Sequence, residues 1–394
     1  LVGTDQLEVI EEPVALAELT PHMDGNAKAV LFRRAGADEA EIIGNLMAGR
    51  ARLAAAFGVP IDGLTSEVIR RINTPQPVIE VAAAAPVQQV VWTGDEADFT
   101  RLPVPFQHGR DGAPYLSATL DYVRDPASGL TNVGCRRMML RGPREAGVDI
   151  TAPSDLRAIY EASAARDEDL PVSFALGTHP TDHVSAMMRT PMDETELVAR
   201  LRGEPLAVVK CVSNDILVPA DAEMVIEGYL EGHGHVEPEG PFGEFMGYYG
   251  VMKQNPVFHL TSITQRRDAL FHTSTISGRH VERTDTAQLN GIRTEVVMWQ
   301  ALEHAIRRPV AVNATGAGGG MMNVRLAMHQ LVPGEARNAI GCIMGSLANA
   351  KNVFVVDGDI DVFDDRQMEW ALATRFQPDR DLIVESGYRA VPID

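Results

Sequence analysis

The chain has 394 residues, 45% of them hydrophobic and 23% charged, which describes an ordinary globular protein with room for two or three domains. Its net charge of -19 argues against a nucleic-acid partner, because phosphate neutralisation needs a basic surface. No apolar run has the length of a membrane span and no secretory leader opens the chain, while Cys135, Cys211 and Cys342 are odd in number and widely spaced. That usage speaks against a disulfide framework or a Cys-x-x-Cys zinc site, so a cytoplasmic protein with no membrane partner is expected. The first residue is Leu1 rather than Met, as in a sequence lacking its native N-terminus.

In chain order, residues 38–57 carry Ala, Leu and Met at helical spacing behind a run of acids and predict one amphipathic helix. Pro75, Pro77 and Pro86 make 74–86 a linker or an extended crossing. From 88 to 275 the texture is β-rich, in "VQQVVWTG", "LSATLDYVRD", "LAVVKCV", "EMVIEGYLEG" and "PVFHLTSITQRRDA". A mostly antiparallel sheet or barrel is expected there, with helical insertions near 155–165 and 193–202. The last third alternates: a helix over 286–306, a strand in "RPVAVNATG", a helix over 334–350, a strand in "NVFVVDGDIDVF" and a helix in "DRQMEWALATR". That order predicts an α/β layer. No internal repeat or low-complexity tract is present.

Four stretches carry candidate chemistry. "EPEGPFGEFMGYYG", from Glu237 to Gly250, sets Glu239 and Glu244 five residues apart across a Gly-Pro-Phe-Gly turn. Gly240 and Gly243 permit unusual backbone angles and Pro241 fixes its own. Such a turn either holds two carboxylates at one cavity, each raising the other's pKa, or is an acidic surface loop. In "TNVGCRRMMLRG", Arg136 and Arg137 are neighbours on a predicted strand and must face opposite sides. An inward arginine would grip a carboxylate or phosphate, and a surface pair is the plain alternative. Asp357, Asp359 and Asp361 alternate as in a calcium loop, but Val362 stands where a calcium loop needs Gly, so structural aspartates at a strand end are expected. Gly316–Gly320 matches no nucleotide-binding pattern and reads as a mobile loop. The pair His233 and His235 reads as an exposed turn rather than a metal site.

Taken together, "NVGCRRMM", "VVKCVSNDILVPADAEMVIEGYL", "EPEGPFGEFMGYYG" and "VFVVDGDIDVFDDRQMEWALATRFQPDRD" resemble the UbiD family of decarboxylases, over roughly residues 85–385. The resemblance implies an α/β (α+β) fold with a split β-barrel flavin-binding domain and an α/β oligomerisation domain, here divided as 1–87, 88–280 and 281–394. It implies a homodimer or a larger homo-oligomer and a flavin prenyltransferase as supplier of the cofactor. The cofactor it implies is prenylated FMN, its phosphate tied to the protein by manganese or magnesium, with potassium nearby.

The catalytic trio it implies, one Arg and two Glu, falls on Arg137, Glu239 and Glu244. Arg137 rather than Arg136 stands five residues after Asn132, as the family motif has it. The metal ligands fall on Asn132 and Glu194, with Glu196 as the neighbour of the latter. Where the family has a His, this chain has Asp155, a departure that keeps an oxygen ligand suited to manganese or magnesium. Asn132, Cys135, Arg136, Met188, Arg189 and Glu194 would lie against the cofactor. Family members continue past Asp394 with a Gly/Lys-containing segment and a closing helix.

The reaction so implied is reversible, non-oxidative decarboxylation of an aromatic, heteroaromatic or α,β-unsaturated carboxylic acid, with the modified flavin as electron sink. Arg137 would hold the substrate carboxylate beside Glu239, and Glu244 would donate the proton. Residues 277–291 would line one wall of the pocket. A catalytically inactive or cofactor-binding-only relative is the alternative. A paired-carboxylate glycosidase ranks low with only three Trp for a sugar cleft, and nothing suggests the nicotinamide site of a flavin reductase.

Overall fold

The computed structural model describes residues 1–82, 85–389 and 391, in two compact units, Leu1–Asp285 and Thr286–Asp394. Residues 83 and 84 of the expected linker, and the extreme C-terminus, lie outside the described residues.

The centre of the first unit is a closed barrel of six antiparallel strands. They are β1 (Tyr115–Arg124), β2 (Thr131–Leu140), β3 (Glu145–Val148), β4 (Leu170–Leu176), β5 (Met224–Leu230) and β6 (Val257–Gln265). Their order is β5-β4-β1-β2-β3-β6, and β6 pairs with β5 to close the ring. Closure leaves none of the six as a free edge. Val90–Thr93 adds to β6 from outside. Leu116, Met138, Val172, Phe174, Ile226 and Phe258 are among the residues that fill the core, with the Phe174 and Phe258 rings edge to face at 5.1 Å.

The helices expected near 155–165 and 193–202 are Asp155–Ala164 and Glu194–Arg202. Both start where a side chain caps the open backbone N–H groups: Ser154 accepts from Arg157 N, and Asp193 from Thr195 N. Asp193 also accepts from Thr131 N, which ties the second helix to the start of β2.

Residues 38–57 do not form one helix. Ala40–Gly44 is a strand, with Ile42 and Ile43 antiparallel to Phe32 and Leu31, and only Arg50–Ala56 is helical. The β-branched isoleucines favour the sheet. Asn45 then turns the chain with φ at +55° and donates from Nδ2 to Met23 O at 2.7 Å. The sheet that contains this strand takes its last member, Phe271–His272, from the far side of the barrel sequence.

In the second unit the helix Asp285–Ala305 leads into the strands Pro309–Ala314, Asn323–Met328 and Asn352–Asp357. The helix expected over 334–350 is shorter, Glu335–Met344, and ends against Gly345. Gly316–Gly320 is not an open loop. Gly318 is buried, and a Cβ on Gly320 would lie 2.2 Å from Ala287 O, so these glycines let the backbone close on the helix. Asp357 and Asp359 bind Arg375, a structural role. Among the described residues no helix is long and apolar enough to cross a membrane.

Candidate active site

The Glu237–Gly250 stretch is the tip of a hairpin. Glu237–Glu239 pairs antiparallel with Lys253–Asn255, which sets Glu239 directly opposite Lys253. Beyond them Gly250 N donates to Phe242 O and Glu244 N to Tyr248 O, so the tip is itself laddered and Glu244 sits at its turn. Gly112 N donates to Pro241 O and Gly243 N to Asp111 Oδ1, which fastens the tip to the residues before β1.

On β2 alternate side chains leave opposite faces. Arg137 leaves on the hairpin side. Its Nε and Nη2 contact Glu239 at 3.1 and 3.3 Å, its Nη1 lies 3.1 Å from Glu244 Oε1, and its Nη2 donates to Asp149 Oδ2 at 2.9 Å. Lys253 Nζ bridges Asp149, at 2.7 Å, and Glu244, at 3.5 Å. The Phe242 ring lies under the guanidinium, 4.7 Å from Cζ, with the Tyr115 ring 4.3 Å beyond. Glu239 and Phe242 are each only 1% exposed, so the cluster is dry on that side. Burial would raise the Asp149 carboxyl, but Arg137 and Lys253 outweigh it and hold the group well below the usual carboxylate range. Burial and the charge of Glu239 push the Tyr115 phenol far up.

Arg136 leaves on the other face. It forms an ion pair with the buried Asp121 at 3.2 Å and reaches Ser154 Oγ. Burial pushes Asp121 up to about 6. A Cβ on Gly134 would stand 2.8 Å from Asp121 Oδ1, so the small residue makes room for that carboxylate. Asn132, further back on β2, donates from Nδ2 to Glu194 Oε2 at 2.7 Å, and Val133 N donates to the same oxygen at 2.6 Å. Burial first, then the charges of Asp121 and Asp155, pushes Glu194 up to about 8.

Thus Arg137, Glu239 and Glu244 come together, and Asn132 and Glu194 come together about 16 Å further along the strand. Asp155 opens the helix beside them and is felt by Glu194 through its charge; it is exposed. Cys135 Sγ faces His183 O at 3.8 Å, its thiol pushed up to about 12 by burial. Met188 is buried at the end of the helix Pro180–Ala186, whereas Arg189 is exposed and donates to Pro153 O.

Sequence reasoning missed Asp149, Lys253, Asp121 and Tyr115. Asp121 had a readable signal, an acid set between the apolar Leu120 and Tyr122–Val123 in the middle of a predicted strand. Asp149 and Lys253 had none, since only the pairing of their strands brings them to Arg137.

Several buried polar atoms have no hydrogen-bond partner among the described residues. They include Asn132 Oδ1, His183 Nε2, both ring nitrogens of His272, Gln107 Oε1 and Tyr115 OH. The His183 and His272 rings are 5.4 Å apart, and Gln107 bonds Thr273 and Ser117, neighbours of His272 and Tyr115. Such orphans are costly unless a ligand satisfies them, and an extended polar cofactor fits that pattern. Among the described residues no three His, Cys, Asp or Glu groups gather as a metal site. A cation here would depend on the Asn132 amide oxygen with Glu194, a donor set of hard oxygens that suits manganese or magnesium.

Three family profiles match in succession: the N-terminal domain of 3-octaprenyl-4-hydroxybenzoate carboxy-lyase over residues 1–72, its Rift-related domain over 79–280 and its C-terminal domain over 287–394. An anhydromevalonate phosphate decarboxylase of Methanosarcina mazei is 29% identical over 393 residues, covering 99% of this chain and 89% of its own. An evolved dimeric form of the UbiD-class enzyme HmfF from Pelotomaculum thermopropionicum, in complex with prFMN, superposes with a TM-score of 0.88 at 32% identity, covering 95% of this chain and 87% of that one. The apo 3,4-dihydroxybenzoic acid decarboxylase of Klebsiella pneumoniae gives 0.87 at 27%, covering 98% and 85%.

Proposed function

Because the chain belongs to the UbiD family of carboxy-lyases, we propose that it is a reversible, non-oxidative decarboxylase of an aromatic, heteroaromatic or α,β-unsaturated carboxylic acid that works with prenylated FMN. The observation that carries this reading is the contact of Arg137 with both Glu239 and Glu244, in a wall walled off by Phe242. When bound, the cofactor supplies the electron sink that a departing carboxylate needs. The chain supplies the rest. Arg137 orients the substrate carboxylate, Glu239 fixes the guanidinium from a buried position, and Glu244 delivers the proton that replaces carbon dioxide at the tip of the hairpin.

Asn132 and Glu194, with Asp155 beside them, are the residues we assign to a manganese or magnesium ion at the cofactor phosphate, and Cys135, Arg136, Met188 and Arg189 to the cofactor's surroundings. Potassium is a further ion that the family implies. A second copy of the chain is the expected partner, in keeping with the dimeric relative and with the exposed Trp370, Phe363 and Leu372 of the second unit.

The test is co-expression with a flavin prenyltransferase, followed by mass spectrometry of the small-molecule extract. Carbon dioxide release is then assayed with 3,4-dihydroxybenzoic acid, vanillic acid and anhydromevalonate phosphate, which relatives' names suggest. A bound prenylated flavin and turnover of one acid are expected. Glu244→Gln should keep the flavin and lose about 100- to 10,000-fold in turnover. A folded, colourless protein without flavin would instead favour the inactive relative.

A further inference from the structure

The guanidinium of Arg137 has two edges that can take a carboxylate with both oxygens, and both are occupied. The Nε/Nη2 edge holds Glu239, and the Nη1/Nη2 edge is shared by Glu244 and Asp149. A substrate carboxylate that binds Arg137 in this way must displace one of the three acids. Glu239 is buried and gripped twice. Asp149 has further donors in Thr151 N, Thr151 Oγ1 and Lys253 Nζ, at 3.0, 2.7 and 2.7 Å. Glu244 sits at the hairpin turn and has one contact with Arg137. It is the acid that can leave, and its carboxylate already lies 3.5 Å from Lys253.

We propose that Lys253, anchored by Asp149, is the positioning residue that receives Glu244 when a substrate carboxylate takes its place on Arg137. The cross-strand pairing of Glu239 with Lys253 puts this ammonium on the same hairpin as both glutamates, so the exchange needs a side-chain rotation and no backbone rearrangement. Gly250 clears the way: a Cβ there would stand 2.9 Å from Glu244 Oε1. The five groups carry one negative charge in excess when all are ionised. An arriving carboxylate adds another, and Lys253 keeps Glu244 from facing Asp149 and the substrate unpaired. Lys253 touches no reacting atom in this scheme. It acts by holding Glu244 within reach of the site.

This inference rests on the reading of Arg137 as the carboxylate-binding residue, and a double-mutant cycle separates the two. Benzoate is the probe, titrated calorimetrically into the cofactor-loaded protein. Lys253→Met should weaken benzoate about tenfold, because displaced Glu244 then has no cation to receive it. Lys253→Arg should restore most of the loss. Glu244→Gln should tighten benzoate, since no charge has to be displaced. In that background Lys253→Met should have no further effect. Thermal midpoints of the variants show whether each is folded. An equal loss from Lys253→Met in both backgrounds, or no loss in either, overturns the role of Lys253. Failure of benzoate to bind even Glu244→Gln overturns the carboxylate-binding role of Arg137 itself, and the inference falls with it.

Discussion

Arg137 carries one positive charge and touches three carboxylates, so neighbouring groups decide how each acid behaves. Asp149 is the plainest case. Its folded-state pKa lies below the unfolded value, through Arg137 and Lys253 acting against burial. Its contribution to stability is therefore fully present above about pH 4 and is lost as the pH falls below that. Asp149→Asn should cost about 1–3 kcal/mol at pH 7 and measurably less at pH 3, because the loss begins below the unfolded pKa and is complete only below the depressed folded one, giving a flatter acid limb in urea unfolding. An equal cost at both pH values would show that the carboxylate's charge does not matter. The trio was named in the sequence only through the resemblance of its motifs to the UbiD family, and the structure brings its three side chains together. The Asp149–Lys253 pair was not, because an ion pair between residues 104 positions apart leaves no local pattern.

At the scale of elements, β2 and the hairpin Glu237–Asn255 do the positioning. One odd step along β2 sends Arg136 to Asp121 and Arg137 to Glu239, as strand alternation requires. The hairpin tip is held against Gly112, where a Cβ would stand 2.4 Å from Gly240 O, a backbone atom that cannot swing aside. Gly112→Ala should therefore push the tip away, cost about 1–3 kcal/mol and lower turnover. Gly109→Ala, with open space around it, should stay within about 0.5 kcal/mol of the parent. Equal midpoints in thermal unfolding would count against the close approach. The misread helix over 38–57 belongs to this scale too. Acids and small apolar residues fit helical spacing, and the strand Ala40–Gly44 wins because its isoleucines favour a sheet and Leu31 and Phe32 pair with it.

For the whole molecule, stability is linked to whatever the folded chain binds and the unfolded chain does not. Manganese at about 100 times its dissociation constant should add about 2.7 kcal/mol and raise the melting midpoint. Glu194→Gln should remove that gain, because the neutral amide lacks the charge the cation needs. A gain that survives in Glu194→Gln would place the ion elsewhere.

The sequence by itself determined the β-rich and α/β halves, and its motifs resembled the UbiD family closely enough to point to Arg137, Glu239, Glu244, Asn132 and Glu194. Those motifs lie along short stretches, where residue type and order can be compared directly. Barrel closure by β6 on β5, the return of Phe271–His272 to the N-terminal sheet, and the meeting of Asp149 and Lys253 at Arg137 were decided only by tertiary structure. These are contacts between distant segments. Their free energy comes from burying apolar faces and pairing charges across strands, and a local stretch of sequence encodes the partners without encoding the pairing.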